Sequence, residues 1–394
     1  MMKKAIALLM TGTMALSLAG CGSASSTATT ASASAAPASS VAASTAAAST
    51  AAASTAAAST AAASAAASTV AASTAAATGN NSKIKIGMVT DVGGVNDGSF
   101  NESSWKGLEQ AGKDLGCQVK YLESKTDADY APNIETFQDD NYDLIICVGY
   151  QLADAVKTAA TENPKQKFAI IDDSTNSNLP NVTCLMFKQA QASYLVGYVA
   201  GLTTKTNTVG FVLGMSTDTM NQFGYGYCSG VLDANPKCKI LQQNANSFAD
   251  TATGKSAATS MVTNGADVIF HAAGGTGLGV IDGCKDAGIW AIGVDTDQSS
   301  LAPKTVLTSA MKRVDNACYD AAKQLCAGTL KSGVVTYDLA SKGVDIASTT
   351  TNIAPDVLKK VEDVKAKIIS GAVVVPETKK DFEAKYGKVY KLAK

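Results

Sequence analysis

Short apolar runs alternate with amphipathic stretches along the chain from Lys83 onward. Apolar runs without polar alternation are typical of strands buried on both faces, and the amphipathic stretches between them are typical of covering helices. The predicted strands are Ile84–Thr90, Val119–Leu122, Leu144–Val148, Phe168–Ile171, Val182–Phe187, Val209–Leu213, Ile240–Gln243, Val268–Ala272, Ala291–Val294 and Val306–Ala310. The helices predicted between and after them include Glu102–Leu115, Leu152–Thr161, Gln191–Thr203, Gly254–Asn264, Gly279–Ala287, Asp315–Leu325 and Pro355–Ile369. This order of elements indicates an α/β fold with parallel sheets.

The folded region is too long for a single hydrophobic core. Roughly 310 residues follow Lys83, and a single core usually serves about 100–200 residues. The succession of strands is interrupted near Phe187 and near Met311. We therefore predict a first lobe of residues 83–187 plus 311–333 and a second lobe of residues 188–310 plus 334–394, joined by three chain crossings that form a hinge.

Residues 1–20 have the pattern of a signal peptide. Lys3 and Lys4 precede an apolar run from Ala5 to Leu18, and small residues lead into Cys21. The cysteine after small residues resembles a bacterial lipobox, in which cleavage leaves Cys21 as a lipid-modified amino terminus. The alternative is an ordinary cleaved signal followed by an incidental cysteine. No later segment has the roughly 18 uninterrupted apolar residues of a membrane helix, so we expect a protein anchored to the membrane and not embedded in it.

Residues 21–82 are almost entirely Ala, Ser and Thr, and a five-residue unit is repeated four times from Ser44 to Ala63. Five residues do not match the helical period, so no stable apolar face forms and too little surface is available to offset the entropy of ordering. We interpret this segment as a flexible tether behind the lipidated cysteine. A transient alanine-rich helix is the alternative, and it changes only the reach of the tether.

The charged residues exclude several functions. All but Lys3 and Lys4 lie at or after Lys83, where 31 basic and 34 acidic residues nearly balance, which disfavours nucleic-acid binding. His271 and Arg313 are the only histidine and arginine, which weakens the case for a metal site, for histidine-based catalysis and for a ligand with several phosphates. We expect no metal and no cofactor, and scattered cysteines that are mostly unpaired.

Acidic, aromatic and glycine residues dominate the positions that directly follow the predicted strands. Ligands of parallel α/β sheets bind beyond the carboxyl ends of the strands, so these positions carry the functional information. Carboxylates accept hydrogen bonds from hydroxyl groups, aromatic rings stack, and glycines expose backbone NH groups. The set suits an uncharged, polyhydroxylated ligand with a flat apolar part.

Seven motifs carry a resemblance to a known family. They are Asp91–Gly112, Phe168–Asp173, Asn181–Leu202, Ser247–Lys255, Gly265–Val280, Ala291–Gln298 and Val306–Ala317. In order and spacing they resemble the basic membrane protein family of bacterial lipoproteins, the group that contains the purine nucleoside receptor. The resemblance implies a type I periplasmic-binding-protein fold with two Rossmann-like lobes. It also implies a monomeric capture component of an ABC importer, with a nucleoside ligand of the purine class, and with permease and ATPase subunits as partners.

The same resemblance implies eight ligand-binding residues. Phe100 and Phe248 stack on opposite faces of the base. The residues expected around the base are Asp91, Asn101 and Asp172, and those expected around the ribose are Gly274, Asp295 and Lys312. The segment at Gly214–Tyr227 is less charged than in many relatives, so the contacts near the hinge depart from the family pattern.

Other roles remain open for some residues. Asp97 is better placed than Asp91 to cap the first helix, Lys312 could form a salt bridge with a lobe-closing carboxylate such as Asp295, and His271 fits a packed neutral histidine. The glycine cluster at Gly274–Gly279 matches neither of the two glycine patterns that bind phosphate groups, G-x-x-x-x-G-K-[ST] and G-x-G-x-x-G. Two other functions also remain, a surface sensor or adhesin and a nucleoside-processing enzyme. The acids are spread singly over the loops, which favours binding without catalysis.

Overall fold

The computed structural model describes residues 81–391. The predicted signal peptide, Cys21 and residues 22–80 of the predicted tether lie outside the described residues, as do residues 392–394. Asn81 and Ser82, which the prediction assigned to the tether, contact the first lobe. The Asn81 side chain donates to the Leu115 carbonyl at 2.9 Å, and the Ser82 carbonyl accepts from the Gln118 side chain at 2.6 Å.

The described residues form two α/β lobes, each built on one six-stranded sheet. The first sheet contains β1 (Lys85–Val89), β2 (Gln118–Leu122), β3 (Leu144–Cys147), β4 (Lys167–Ile171), β5 (Val182–Phe187) and β11 (Gly333–Tyr337). Its order is β11-β5-β4-β3-β1-β2, and its strand pairs are parallel. The predicted α/β class with two parallel-sheet lobes is confirmed.

The second sheet repeats this arrangement. It contains β6 (Thr208–Leu213), β7 (Lys239–Asn244), β8 (Val268–Ala272), β9 (Trp290–Asp295), β10 (Val306–Lys312) and β12 (Val344–Ile346). Its order is β12-β10-β9-β8-β6-β7, and only β12 runs antiparallel to its neighbour in the pairs of this sheet. The first ten strands are those predicted from their apolar runs. Eight of them are largely buried, whereas the edge strands β2 and β7 are partly exposed.

Ten α-helices cover the sheets within residues 81–391. They are α1 (Phe100–Leu115), α2 (Tyr130–Asp139), α3 (Ala153–Glu162), α4 (Gln189–Thr203), α5 (Asp218–Ala234), α6 (Thr251–Thr263), α7 (Gly274–Ala287), α8 (Val314–Cys326), α9 (Pro355–Ile369) and α10 (Lys379–Tyr386). In the first lobe α1 packs against α8 and α2 against α3. In the second, α4 packs against α5 and α9, and α6 against α7.

The chain crosses between the lobes three times, after β5, after β10 and after β11. The second and third crossings differ in position from the prediction. Met311 and Lys312 belong to β10 and stay in the second sheet, and Gly333–Tyr337 joins the first sheet beside β5. The alternating exposure of β11 explains the error, because an edge strand that is half exposed lacks the apolar run used to find the buried strands.

The glycine-rich helix α5 lies against α4 at very short range. A Cβ atom at Gly226 would lie 2.1 Å from the Ala190 carbonyl oxygen, and one at Gly230 would lie 2.0 Å from that of Tyr194. Only glycine fits at these two positions. Glycine lowers intrinsic helix propensity by about 1 kcal/mol relative to alanine, so packing against α4 must stabilise this helix. Its amino-terminal turns face the cleft between the lobes.

Candidate functional site

A cavity lies between the lobes at the carboxyl ends of both sheets. Seven of the eight predicted site residues line it: Asp91, Phe100, Asp172, Phe248, Gly274, Asp295 and Lys312. The structure therefore brings together residues up to 221 positions apart in the sequence.

The eighth, Asn101, lies behind the cavity wall. Its side chain is 1% exposed and donates to Asp91 Oδ1 at 2.7 Å, while its Oδ1 accepts from the Asp91 backbone at 3.3 Å. Gly93 NH also donates to Asp91 Oδ1, at 2.8 Å. Asn101 therefore orients the Asp91 carboxylate and does not line the cavity, because its position one residue into α1 turns it back toward the β1 loop.

Among the described residues, Lys312, the last residue of β10, is the only cation that lines the cavity. It forms an ion pair with Asp172 of the first lobe, and the side chains are 2% and 5% exposed. The Lys312 ammonium also lies 4.5 Å from the ring centre of Phe100, 5.1 Å from that of Phe187 and 5.8 Å from that of Phe223. The carboxylate that pairs with Lys312 across the lobes is thus Asp172, and not Asp295 as the sequence suggested.

Two carboxylates occupy equivalent places in the two lobes. Asp172 follows β4 with φ +66°, and Asp295 ends β9 with φ +64°. Left-handed backbone is uncommon for residues other than glycine, and such strain is concentrated at functional sites. One oxygen of Asp172, Oδ1, is buried without a hydrogen-bond partner among the described residues. A buried acceptor of this kind requires a donor from whatever fills the cavity.

Asp295 is held from the opposite lobe. Ser99 Oγ donates to Asp295 Oδ2 at 2.5 Å, which leaves Oδ1 directed to other partners. Burial raises the pKa of the Asp295 carboxyl to about 6, although nearby Lys312 acts to lower it. Burial likewise raises the pKa of Asp91 to about 6.

The two predicted stacking rings come from different lobes. Phe100 opens α1 in the first lobe, and Phe248 lies between β7 and α6 in the second. Phe248 is seated closely, because a Cβ at Gly214 would lie 2.4 Å from its ring. Gly274 begins α7 with φ +52° and contacts the Phe248 backbone. The rings thus reach the cavity from opposite sides of the cleft.

Ten further cavity residues are absent from the predicted set, among them Tyr150, Gln151, Met220 and Phe223. Tyr150 and Gln151 come just after β3, so the rule of residues following strands already pointed to them. Gln151 Oε1 is buried without a partner among the described residues, like Asp172 Oδ1. Met220 and Phe223 lie on α5, a helix that the apolar pattern did not predict.

The charge of the site defines its chemistry. Within residues 81–391, Asp91, Asp97, Asp172 and Asp295 line the cavity, and the one lining cation is Lys312, which already pairs with Asp172. Such a site suits a neutral ligand rich in hydrogen-bond donors and repels phosphate. Residues 81–391 contain no group of three or more His, Cys, Asp or Glu side chains placed to hold a metal ion.

His271 is fully buried on β8, where its Nε2 lies 3.0 Å from Gln298 Oε1. Burial lowers the pKa of its imidazole to about 4, so the ring is neutral at pH 7. It is absent from the cavity lining. The structure therefore places this histidine as the packed neutral residue that the strand pattern predicted.

The raised pKa of Asp91 gives a pH-dependent contribution to stability. The native state binds this proton up to pH of about 6 while the unfolded chain releases it near 4, so stability falls as pH rises through 6, by up to about 3 kcal/mol. Asp91→Asn keeps an acceptor for Asn101 and Gly93 and removes the ionisation. We expect it to flatten the dependence of the unfolding free energy between pH 4 and 7.5 by about that amount.

Urea unfolding at several pH values measures this effect. Asp140→Asn, at an exposed position at the end of α2, is the matched control and should leave the pH dependence as in the wild type. If the unfolding free energy of Asp91→Asn depends on pH as that of the wild type does, the Asp91 carboxyl ionises in the folded protein without loss of stability.

Two lobes joined by three crossings, with a cavity between the carboxyl ends of their sheets, define a two-lobed solute-binding protein. A crystal structure of an ABC transporter solute-binding protein from Aeropyrum pernix K1 superposes with a TM-score of 0.71 at 26% identity, covering 78% of this chain and 98% of that one. The chain belongs to the Bmp family, the PnrA-like substrate-binding proteins of ABC transporters, whose family model matches residues 84–379.

Relatives agree with this membership. The CD4+ T-cell-stimulating antigen of Listeria monocytogenes is 43% identical over 314 residues, covering 74% of this chain and 88% of the relative. The ABC transporter nucleoside-binding protein BmpA of Lactococcus lactis subsp. cremoris is 35% identical over 326 residues, covering 76% and 92%. The family resemblance predicted from the seven motifs is confirmed. Within residues 81–391 no helix has the length and apolar character needed to cross a membrane.

Proposed function

We propose that the protein is an extracytoplasmic lipoprotein that captures nucleosides, with purine nucleosides preferred, for an ABC importer. The observation that carries this proposal is the pairing of two aromatic rings from opposite lobes, Phe100 and Phe248, with buried carboxylates in one cavity. Rings on both sides suit a flat base, and buried acceptors suit the hydroxyl and amine donors of a nucleoside. The name of the lactococcal relative supports the same ligand class.

In this proposal the polar residues of the first lobe contact the base, and those of the second lobe contact the ribose. Asp91, oriented by Asn101, and Asp172 face the base, while Gly274, Asp295 and Lys312 face the ribose. Lys312 reaches across the lobes to Asp172, so its position depends on closure of the cleft. Closure of two lobes around a ligand is sufficient for reversible capture and requires no catalytic group.

The proposal also includes the amino-terminal segment. Cys21 carries the lipid, the Ala/Ser/Thr-rich segment acts as a tether, and the monomeric binding unit delivers its ligand to a permease with its ATPase. Mass spectrometry of the mature protein from the membrane fraction tests this part. A diacylated or triacylated cysteine at position 21 is expected, and an amino terminus elsewhere contradicts it.

Calorimetry with inosine, guanosine, cytidine, hypoxanthine, ribose and inosine 5′-monophosphate tests the ligand class. We expect nucleosides to bind, purine nucleosides to bind best, and the charged nucleotide to bind far more weakly because the cavity is anionic. Free base released from inosine during the incubation would instead indicate an enzyme. Binding of ribose alone with equal affinity would contradict the role of the aromatic rings.

Phe248→Ala should weaken nucleoside binding by roughly 1–3 kcal/mol, the usual effect of removing an aromatic ring that stacks on a base. Phe248 is a cleaner test than Phe100, because the Phe100 ring also contacts the Lys312 ammonium. Phe248→Tyr keeps the ring and is the matched control. Calorimetry measures the affinity of both variants. Equal affinities for the alanine and tyrosine variants would show that Phe248 does not stack on the base.

A further inference from the structure

The loop before α1 belongs to the first lobe and contacts the second lobe through two residues that do not line the cavity. The Gly98 carbonyl accepts a hydrogen bond from Gln298 Nε2 at 3.0 Å, and Ser99 Oγ donates to Asp295 Oδ2 at 2.5 Å. These contacts join residues about 200 positions apart and connect one lobe directly to the other. We call Gly98 and Ser99 the loop tip.

The loop tip is held rigidly in the first lobe. Asp97 Oδ1 accepts from Ser99 NH at 2.9 Å and from Glu102 NH at 3.1 Å, and its Oδ2 accepts from Asn101 NH at 2.9 Å. Asp97 therefore caps α1, the role that its sequence position predicted. Closing the cleft costs little ordering of this loop, because its backbone is already fixed by its own lobe.

The partner in the second lobe is equally fixed. Gln298 is 1% exposed, and its Oε1 accepts from Val294 NH at 3.0 Å and lies 3.0 Å from His271 Nε2. Because Val294 NH is a donor, the oxygen of the amide must face it, and Nε2 must face the Gly98 carbonyl. The same geometry places a proton on His271 Nε2. Gln298 thus presents one donor to the opposite lobe.

The surfaces also match in shape. Gly98 has φ +62°, and a Cβ atom there would lie 3.1 Å from Leu278 Cδ2 on α7. A side chain at this position would be strained and would press on the second lobe. The loop tip therefore contacts the second lobe through its own backbone at Gly98. This allows the Gly98 carbonyl to reach the buried side-chain amide of Gln298.

We propose that Gln298 and Ser99 are positioning residues that hold the lobes closed and thereby set how long a ligand is retained. Neither lines the cavity, so they act through closure and, for Ser99, through the orientation of Asp295. The inference rests on the proposed function only in its choice of ligand. Breaking either bond removes one hydrogen bond from the closed form, so we expect ligand dissociation roughly 3- to 10-fold faster with the association rate unchanged.

The sharpest variant is Gln298→Glu, studied at pH 8. It keeps an oxygen toward Val294 NH and replaces the donor that faces Gly98 with a second oxygen. Gln189→Glu is the matched control, because Gln189 is also 1% exposed and donates from Nε2 to the Thr219 carbonyl at 3.0 Å, but within the second lobe. Ser99→Ala tests the other bond and remains informative if Gln298→Glu folds poorly.

Stopped-flow dissociation of inosine and small-angle X-ray scattering of the full chain are the two measurements. We call Gln298→Glu and Ser99→Ala the latch variants. The proposal is supported if both latch variants release inosine faster than the control and are more extended, with thermal stability as in the control. Equal dissociation rates and equal scattering in latch and control variants overturn it. If the wild type binds no nucleoside, the proposed function fails, and scattering alone decides: expansion of the latch variants over the control supports the closure role, and its absence overturns it.

Discussion

Lys312→Met is expected to weaken nucleoside binding by about two to four orders of magnitude. In the closed form the substitution leaves Asp172 buried without its cation, since both side chains are at most 5% exposed. Leaving one partner of a buried ion pair alone costs about 3–5 kcal/mol, and any equilibrium that requires closed lobes loses that amount. Methionine keeps an unbranched apolar side chain of similar length, so the loss reports the charge, including the contacts of the ammonium with the rings of Phe100 and Phe223.

Two further variants make this test specific. The double variant Lys312→Met with Asp172→Asn removes both charges and should recover most of the lost affinity. Lys365→Met is the control, because Lys365 pairs with Asp345 at 2.6 Å in the second lobe with both side chains partly exposed, where we expect an effect under about 1 kcal/mol. Calorimetry on all four proteins provides the comparison. If Lys312→Met binds nucleoside about as tightly as Lys365→Met, the charge of Lys312 does not stabilise the closed form.

Asp295→Asn should reduce affinity for a ribonucleoside roughly 10- to 100-fold while affecting the free base far less. A charged acceptor for a neutral hydroxyl is worth on the order of 1.5–3 kcal/mol, and the amide keeps the shape while it loses the charge. Ser99 Oγ can still donate to the amide oxygen, so the contact between the lobes persists in the variant. The ratio of nucleoside affinity to base affinity is the quantity to measure.

Asp297→Asn controls for the substitution itself. It lies two residues further on, where the carboxylate accepts from Ser299 NH at 3.0 Å and does not line the cavity. If the ratio of affinities is the same for both variants, Asp295 is a structural carboxylate and the ribose lies elsewhere in the cleft.

Most of the site could be predicted because it follows from the strands. Buried parallel strands have continuous apolar runs, and their carboxyl ends meet at one edge. Asp91, Asp172, Asp295 and Gly274 all lie within two residues of the end of such a strand. The cavity therefore assembles from positions that the sequence pattern marks, although they lie far apart in the chain.

The remaining features depend on contacts that no local pattern shows. α5 contains glycines that disfavour an isolated helix, and it is stabilised by tertiary packing, above all by its close approach to α4. Its residues Met220 and Phe223 were therefore missed as cavity residues. The pairing of Lys312 with Asp172 depends on how two lobes meet, since two candidate carboxylates, Asp172 and Asp295, lie near the lysine. The positions of these two carboxylates in the sequence do not show which of them pairs with Lys312.

The attachment of Asn81 determines where a mechanical load enters the protein. Its side chain bonds to Leu115 at the carboxyl end of α1, and this helix of 16 residues extends about 24 Å from there to Phe100 at the cavity. A force applied through the amino terminus therefore acts on the base of the first lobe, at the opposite end of the sheet from the cleft. Immobilising the protein through its amino terminus on a sensor surface would attach it at the end of the first lobe opposite the cleft, so the attachment would leave the lobes free to open.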